Sequence, residues 1–325
     1  MPKQQPGDSD PSKGLGRWLG RSPQRTLLRL TAALGGLWLT AAALSLIWPK
    51  PDQIAVRNPS AEDPTTLAPL PSSPVTILVI GVDADQLSDL NNKAAPLGPA
   101  NADSLMLVQI TANKAVEVLQ LPTELGVNLP GSKTIQPLAA SYRKGGVGLT
   151  ADVINEIVDL PEGVPQRYLV ISRKGLRTLV DGIGQLEITL GQPYASQDKT
   201  QGYAINLQAG RQILNGVQAE QLTRYRSNPK DDVNRRKRQQ MLVLALVDQL
   251  RQASAISNLS LLLNELSDEI QTDLSRNEIL SLVAAVLTSP SSPEISQLSL
   301  AKRAGDQILR QLNQDEPLQS WPESN

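Results

Sequence analysis

Between Arg224 and Arg238 the chain carries Arg224, Arg226, Lys230, Arg235, Arg236, Lys237 and Arg238, with Asp231 and Asp232 set among them. Asp232 is placed to cap a helix that turns apolar from Met241. Arg235, Arg238 and Gln239, spaced i, i+3 and i+4, then share one face of its first turns. Guanidiniums offer planar paired donors and keep their charge, and the positive end of a helix adds to the attraction. The stretch therefore suits an anion, phosphate oxygens above all. A solvated helix end and a nucleic-acid surface are the other readings of the same residues. Two carboxylates stand beside apolar runs: Asp83 just after residues 75–80 and Asp103 just before residues 105–110. Ligands of open α/β sheets gather at strand ends, so this pair could hold Mg²⁺, or serve as turn and cap residues.

Composition narrows the chemistry further. The 325 residues include neither cysteine nor histidine. That excludes disulfides, thiolate nucleophiles, Ser-His-Asp triads and imidazole or thiolate metal sites. Acid–base or metal chemistry must use carboxylates, Lys, Tyr or water, and any metal must be oxygen-ligated. With 31 basic and 32 acidic residues the net charge is −1, so bulk charge points neither to nucleic acid nor to a membrane surface. Phenylalanine is absent, which leaves Leu, Ile and Val to fill the core.

The elements that must hold these residues alternate between strands and helices. Residues 75–80 read as a buried strand; 105–110 and 116–121 read as two more, joined by a tight turn at 111–114 into a hairpin. The pattern predicts helices at 150–158, 173–180, 233–252, 258–265 and 276–287, and strands at 168–171 and 186–190. Several strands are apolar on both faces, which argues for an α/β fold with a mixed sheet sandwiched between helix layers. The segment 139–146, with Arg143 and Lys144, reads as a loop; residues 289–325 read as a C-terminal tail with one helix at 302–312.

Upstream of this domain, residues 30–48 run without a charge for 19 residues, about 28 Å as a helix, close to the hydrocarbon thickness of a bilayer. Lys3, Lys13, Arg17, Arg21, Arg25 and Arg29 precede it against Asp8 and Asp10. The positive-inside rule then places the tail 1–29 in the cytoplasm and the domain outside, on an uncleaved single-pass anchor. A cleaved signal peptide would want a small-residue site where the chain has Ile47-Trp48-Pro49. Seven prolines between 49 and 74 make that segment a semi-extended stalk. A domain outside the membrane also counts against nucleic acid as a partner.

The order of the motifs resembles the LytR-CpsA-Psr family of bacterial envelope proteins. I-L-V-I-G-V-D at 77–83 resembles its first motif, and A-D-S-L-M-L-V at 102–108 the strand with its second aspartate. V-E-V-L-Q-L-P at 116–122, A-A-S-Y-R-K-G-G at 139–146 and L-V-D-G-I-G at 179–184 follow in order. Then come Arg224-Tyr225-Arg226, Asp232 and R-x-x-R-Q at 235–239. The resemblance covers residues 75–287 plus the anchor. It implies an αβα sandwich with a hydrophobic tunnel for a polyprenyl tail. It also implies a phosphotransferase that moves a glycopolymer from a polyprenyl-diphosphate carrier to a cell-wall acceptor, usually peptidoglycan. On that analogy Asp83 and Asp103 bind Mg²⁺, Arg224, Arg226, Arg235, Arg238 and Gln239 hold the diphosphate, and Asp83, Asp103 and Arg235 are catalytic. Phosphoryl transfer asks for such a set, because charge must be neutralised and groups aligned.

The chain departs from the family pattern twice. Asn101 stands where an Arg usually precedes the second aspartate, and Pro122-Thr123-Glu124 replaces Pro-Arg-Asp. Losing one preorganised charge donor typically costs about 10²- to 10³-fold in rate. Arg143 and Lys144 are candidate replacements reaching the diphosphate from another direction. Two further readings stay open: a scaffold that binds a lipid diphosphate without turning it over, and an envelope regulator. The latter lacks a visible DNA-reading element.

Overall fold

A computed structural model describes residues 67–89, 98–198, 203–228, 230–303, 305 and 307–322. The anchor expected at 30–48, the tail before it and the linker up to residue 66 lie outside these residues. Among the described residues no helix is long and apolar enough to cross a membrane.

The centre is a six-stranded mixed sheet. It is built from β1 (Val75–Val82), β2 (Ala102–Ile110), β3 (Glu117–Leu121), β6 (Arg167–Ile171), β11 (Ile270–Thr272) and β12 (Glu294–Gln297). Their order is β11-β6-β1-β2-β3-β12. β1 runs antiparallel to β2 and parallel to β6, and β3 runs antiparallel to β2 and parallel to β12. The period-2 alternation of β1 divides two cores. Leu78 and Ile80 face one way, with Leu105, Leu107, Leu119 and Leu121, against Val153 and Ile154 of α1 (Ala139–Ile157). Ile77 and Val79 face the other way, with Met106 and Val118, against Leu282 and Ala285 of α6 (Arg276–Leu287). A sheet covered on both faces needs strands apolar on both faces, which is why β1 reads as a continuous run.

Most of the remaining elements share a second core, while Val127 joins the main sheet's own core. Two short pairs, β4 (Gly126–Val127) with β5 (Gln136–Pro137) and β8 (Tyr194–Asp198) with β9 (Tyr203–Leu207), have no strong sequence signal. β7 (Leu186–Leu190) pairs with β10 (Gly210–Leu214). Their inward leucines and isoleucines pack with α2 (Arg173–Gly182), α3 (Gly216–Arg224), α4 (Asp232–Leu250) and α5 (Ala253–Glu265). Side chains that cap the helix starts set these boundaries. Ser172 accepts from Gly175 N at the head of α2, while Asn215 and Ser275 close capping boxes at α3 and α6.

Several expectations change. The expected hairpin at 105–121 forms, with Lys114 N donating to Thr111 O and Asn113 at φ 59° in its turn. The segment 139–146 is not a loop but the first half of α1, broken at Gly145 and Gly146, the latter at φ 63°. Thr150 and Ser141 bridge the break: Thr150 Oγ1 donates to Gly146 O, and Ser141 Oγ donates to Thr150 Oγ1. The helix expected at 302–312 does not form among the described residues, where Leu300 instead bridges Leu312 and Arg310 bridges Leu125. Residues after 288 also add β12 to the main sheet and place Leu298 and Trp321 in its core.

Candidate functional site

The sheet fixes the site's position. β1 and β6 run parallel, and beyond their carboxyl ends the chain turns into Asp83 and into the head of α2. Openings between strands and helices at such ends are where α/β sheets hold ligands. Between the sheet and helices α2 and α4 lies a cavity of about 210 Å³, walled by Val79, Leu169, Ile171, Leu176, Leu242 and Leu246. An apolar cavity of roughly 150 Å³ is already enough to stay dry and take up a hydrocarbon. At one end the wall becomes polar, with Asp103, Arg173, Glu220, Thr223, Arg224 and Gln239.

Arg235 sits just behind this rim and is almost fully buried. Its Nη1 donates to the Asp103 carbonyl oxygen at 2.8 Å and its Nη2 to Thr123 Oγ1 at 2.9 Å. Gln239 Nε2 donates to the same carbonyl at 3.3 Å, and its Oε1 accepts from Gln120. Two residues read from the sequence as diphosphate ligands therefore clamp the main chain of Asp103. The Asp103 carboxylate, 40% exposed, lies 3.6 Å from Arg235 Nη1. Burial pulls the Arg235 guanidinium below its ordinary value, against the opposing pull of Asp103. Arginine does not release its proton in practice, so the shift reports a desolvated cation that a further anion would stabilise.

Asp83 is held from the next strand. Its main-chain N donates to Asn101 O, while Asn101 N and Nδ2 donate to its two carboxylate oxygens at 2.8 and 3.4 Å. Asn101 and Thr123, the two departures from the family pattern, thus position Asp83 and Arg235. Among the described residues no group of three or more carboxylates gathers to hold a metal. Asp83 follows β1 and Asp103 lies near the start of β2, the neighbouring strand.

Arg224 and Arg226 point to different partners. Arg224 Nη1 donates to Glu220 Oε1 at 3.0 Å on the cavity rim. Arg226, 41% exposed, lies 3.2 Å from Asp232. Arg238 is not at the rim. It is buried, donating from Nε to Leu222 O and from Nη2 to Tyr225 O and Asp231, with its guanidinium 5.4 and 5.1 Å from the Tyr194 and Tyr225 rings. Helix geometry brings Arg235 and Arg238 to one side of α4, but they lean into different neighbours. Asp232 is not the N-cap either; Asp231 takes that position, without a capping hydrogen bond. Burial pushes the Asp231 carboxyl up, but hydrogen bonds from Asn234, Ser227 N and Arg238 hold it below its ordinary value. The proposed stand-ins, Arg143 and Lys144, are also not brought to the cavity. Lys144 bonds Ser132, and a Cβ at Gly98 would come within 2.7 Å of Arg143 Nη2.

The rim residue that sequence reading missed is Arg173. It opens α2 directly after β6 and lies 3.5 Å from Glu220 and 3.7 Å from Asp85. Arg177 bonds the same two carboxylates. Three guanidiniums therefore surround Glu220. A basic residue at the seam between a buried strand and a Ser-capped helix was the available signal.

The chain and its fold have counterparts among known proteins. Over 208 residues the chain is 25% identical to a polyisoprenyl-teichoic acid–peptidoglycan teichoic acid transferase, TagU, of Enterococcus faecalis, covering 63% of each chain. It is also 25% identical over 234 residues to the corresponding TagV of Bacillus subtilis, covering 70% of this chain and 56% of that one. A match at 26% identity to biofilm regulatory protein A of Streptococcus mutans covers 62% and 50%. The chain thus spans between half and two thirds of these relatives' lengths. Its fold superposes on the crystal structure of B. subtilis TagV with a TM-score of 0.60 at 21% identity, covering 75% and 92% of the two chains. On a structure of TagT bound to LIIa-WTA the TM-score is 0.57 at 22% identity, covering 75% and 86%. The sequence profile of the LytR_cpsA_psr family matches residues 52–319, and the chain belongs to the LytR-CpsA-Psr family.

Proposed function

We propose that the protein is a membrane-anchored phosphotransferase that moves a glycopolymer from a polyprenyl-diphosphate carrier to a cell-wall acceptor such as peptidoglycan. The observation that carries this reading is a cavity with apolar walls and an ionic rim, where Arg173, Arg224 and Asp103 meet. An isoprenoid chain fits such walls, and the diphosphate that joins it to the glycan fits the rim.

In the reaction an acceptor hydroxyl attacks the glycan-linked phosphorus. The new O–P bond forms, the P–O–P bridge breaks, and the polyprenyl monophosphate leaves with the bridging electron pair. The hydroxyl proton passes to a carboxylate, with half-exposed Asp103 the better placed and Asp83 the second candidate. Arg224 and Arg173 balance charge on the diphosphate. Arg235 and Gln239 keep Asp103 in place, a positioning role worth most in a site closed to water. Mg²⁺ held by Asp83 and Asp103 would neutralise phosphate charge. The anchor at 30–48, with the N-terminus inside and the domain outside the cytoplasmic membrane, would bring the cavity to the lipid carrier.

A second reading is supported by Asn101 and Thr123, which stand where two guanidiniums are expected: a scaffold that binds the lipid diphosphate without turnover. The full chain in detergent, given a polyprenyl-diphosphate-linked saccharide, an acceptor glycan and Mg²⁺, separates the two. Release of polyprenyl monophosphate that is lost in Asp103→Asn establishes the phosphotransferase. Tight binding without release leaves the scaffold.

A further inference from the structure

The C-terminal segment brings cations to the site that the motifs do not contain. Leu300 bridges Leu312 and Ala301 N donates to Gln311 O at 2.9 Å, so residues 300–301 and 311–312 lie side by side. The returning arm is stitched to the chain after β3: Arg310 N donates to Glu124 O and Gly126 N to Arg310 O. Arg310 Nη2 also ties the outgoing arm, donating to Ala301 O at 2.7 Å. Arg303 follows the outgoing arm. Its Nη1 donates to Gln307 O, and its Nη2 faces Asp232 at 3.9 Å.

Asp232 is thus shared by Arg226, Arg235 and Arg303, at 3.2, 3.9 and 3.9 Å. Arg236 pairs with Glu124 next door. With Arg310, five guanidiniums stand near three carboxylates, those of Asp232, Glu124 and Asp103. Four buried polar atoms in this set have no hydrogen-bond partner among the described residues: Arg235 Nε, Arg310 Nε, Asp232 Oδ1 and Glu124 Oε2. Burial, and then the nearness of Arg303, pull the Arg310 guanidinium below its ordinary value. Two of these atoms are guanidinium donors, and with five guanidiniums beside three carboxylates the excess positive charge is costly unless an anion joins it. Arg226 and Arg303 leave the cluster partly open to solvent, with 41% and 19% of their side chains exposed.

We propose that Arg303 is an anion-binding residue of this site, held by Arg310 as its positioning residue, and that with Arg226 it takes phosphate oxygens of the diphosphate-bearing substrate. The inference rests on the phosphotransferase reading for the identity of that substrate. It also accounts for Asn101 and Thr123: the missing charge comes from the C-terminal segment that lies beside Thr123 and Glu124 instead of from the strands.

Binding of inorganic pyrophosphate to the full chain in detergent, read by calorimetry, tests it, with turnover of the lipid-linked saccharide measured in parallel. Arg303→Ala should weaken pyrophosphate binding about tenfold and flatten its salt dependence, while Arg303→Lys restores most of the affinity. Arg310→Ala should give the same loss, and the double variant should be no weaker than Arg303→Ala alone, because one residue acts through the other. A lower melting temperature with unchanged pyrophosphate affinity in Arg303→Ala would show that Arg303 only balances Asp232, and would overturn the proposal. Pyrophosphate binding that depends on Arg303, in a protein that never turns over the saccharide, upholds this inference and removes the phosphotransferase. Turnover and binding both unaffected by Arg303→Ala do the reverse.

Discussion

Arg224 and Arg238 look equivalent in the sequence and should behave oppositely when truncated. Arg238 is buried, makes a charge-assisted bond to Asp231 at 3.2 Å, donates to two main-chain carbonyls and lies over two tyrosine rings. Arg238→Ala leaves Asp231 buried without its cation, and breaking a buried pair in this way costs about 3–5 kcal/mol. For a domain of this size each kcal/mol is worth about 2–4 °C, so the melting temperature should fall by about 6–20 °C. Affinity for a polyprenyl diphosphate, measured on the fraction that remains folded, should hardly change. Arg224 bonds Glu220, a carboxylate that keeps Arg173 and Arg177. Arg224→Ala should therefore lose only about 1–2 kcal/mol of stability, yet weaken lipid-diphosphate binding on the order of tenfold or more. Thermal melts and lipid binding on both variants decide the matter. A stable Arg238→Ala that no longer binds, or an Arg224→Ala that binds normally, would refute the assignment of these two residues.

Other expectations follow from single contacts. Asp103→Asn should keep its main-chain clamp to Arg235 and Gln239, and so its stability, while Mg²⁺-dependent turnover drops by about 10²-fold or more. Gly216→Ala would set a Cβ 2.3 Å from Arg177 O and 2.6 Å from Arg177 Cα. The α2–α3 contact would have to open, and urea unfolding should show a loss of about 1–3 kcal/mol. Glu278 is held at about 2 by hydrogen bonds from Ser275 N, then Ser275 Oγ and Arg167. Its folded value lies below its unfolded one, so the stabilisation is full above about pH 4.5 and is lost as pH falls toward 2. The stability difference between the protein and Glu278→Gln should therefore shrink across that window, a modest effect because the group is 42% exposed.

Much of the fold was legible because burial on both sides leaves a mark in composition. The apolar runs at 75–80 and 105–110, the turn at 111–114 and the helix 276–287 appear where pattern and caps agree. What misled was local ambiguity. Gly145 and Gly146 look like loop residues, yet the packing of Val153 and Ile154 on β1 and β2 continues α1 through the break. Residues 302–312 have helical composition, but main-chain bonds to Glu124 and Gly126 satisfy that backbone in an extended path. Such pairings join positions nearly 190 residues apart along the chain, and no local pattern announces them.

The site divides along the same line. Residue types by themselves determined that any acid–base or metal chemistry has neither histidine nor cysteine to use, and they singled out Asp83, Asp103 and the Arg224–Arg238 stretch as candidates. Only the tertiary structure decided which guanidinium meets the cavity. It set Arg224 and Arg173 on the rim, turned Arg238 into the protein, made Arg235 a clamp on Asp103, and placed Arg303 beside Asp232 from a segment with no motif. Helical spacing places side chains on a face, whereas the partners they reach depend on which strands and loops the fold packs against that face.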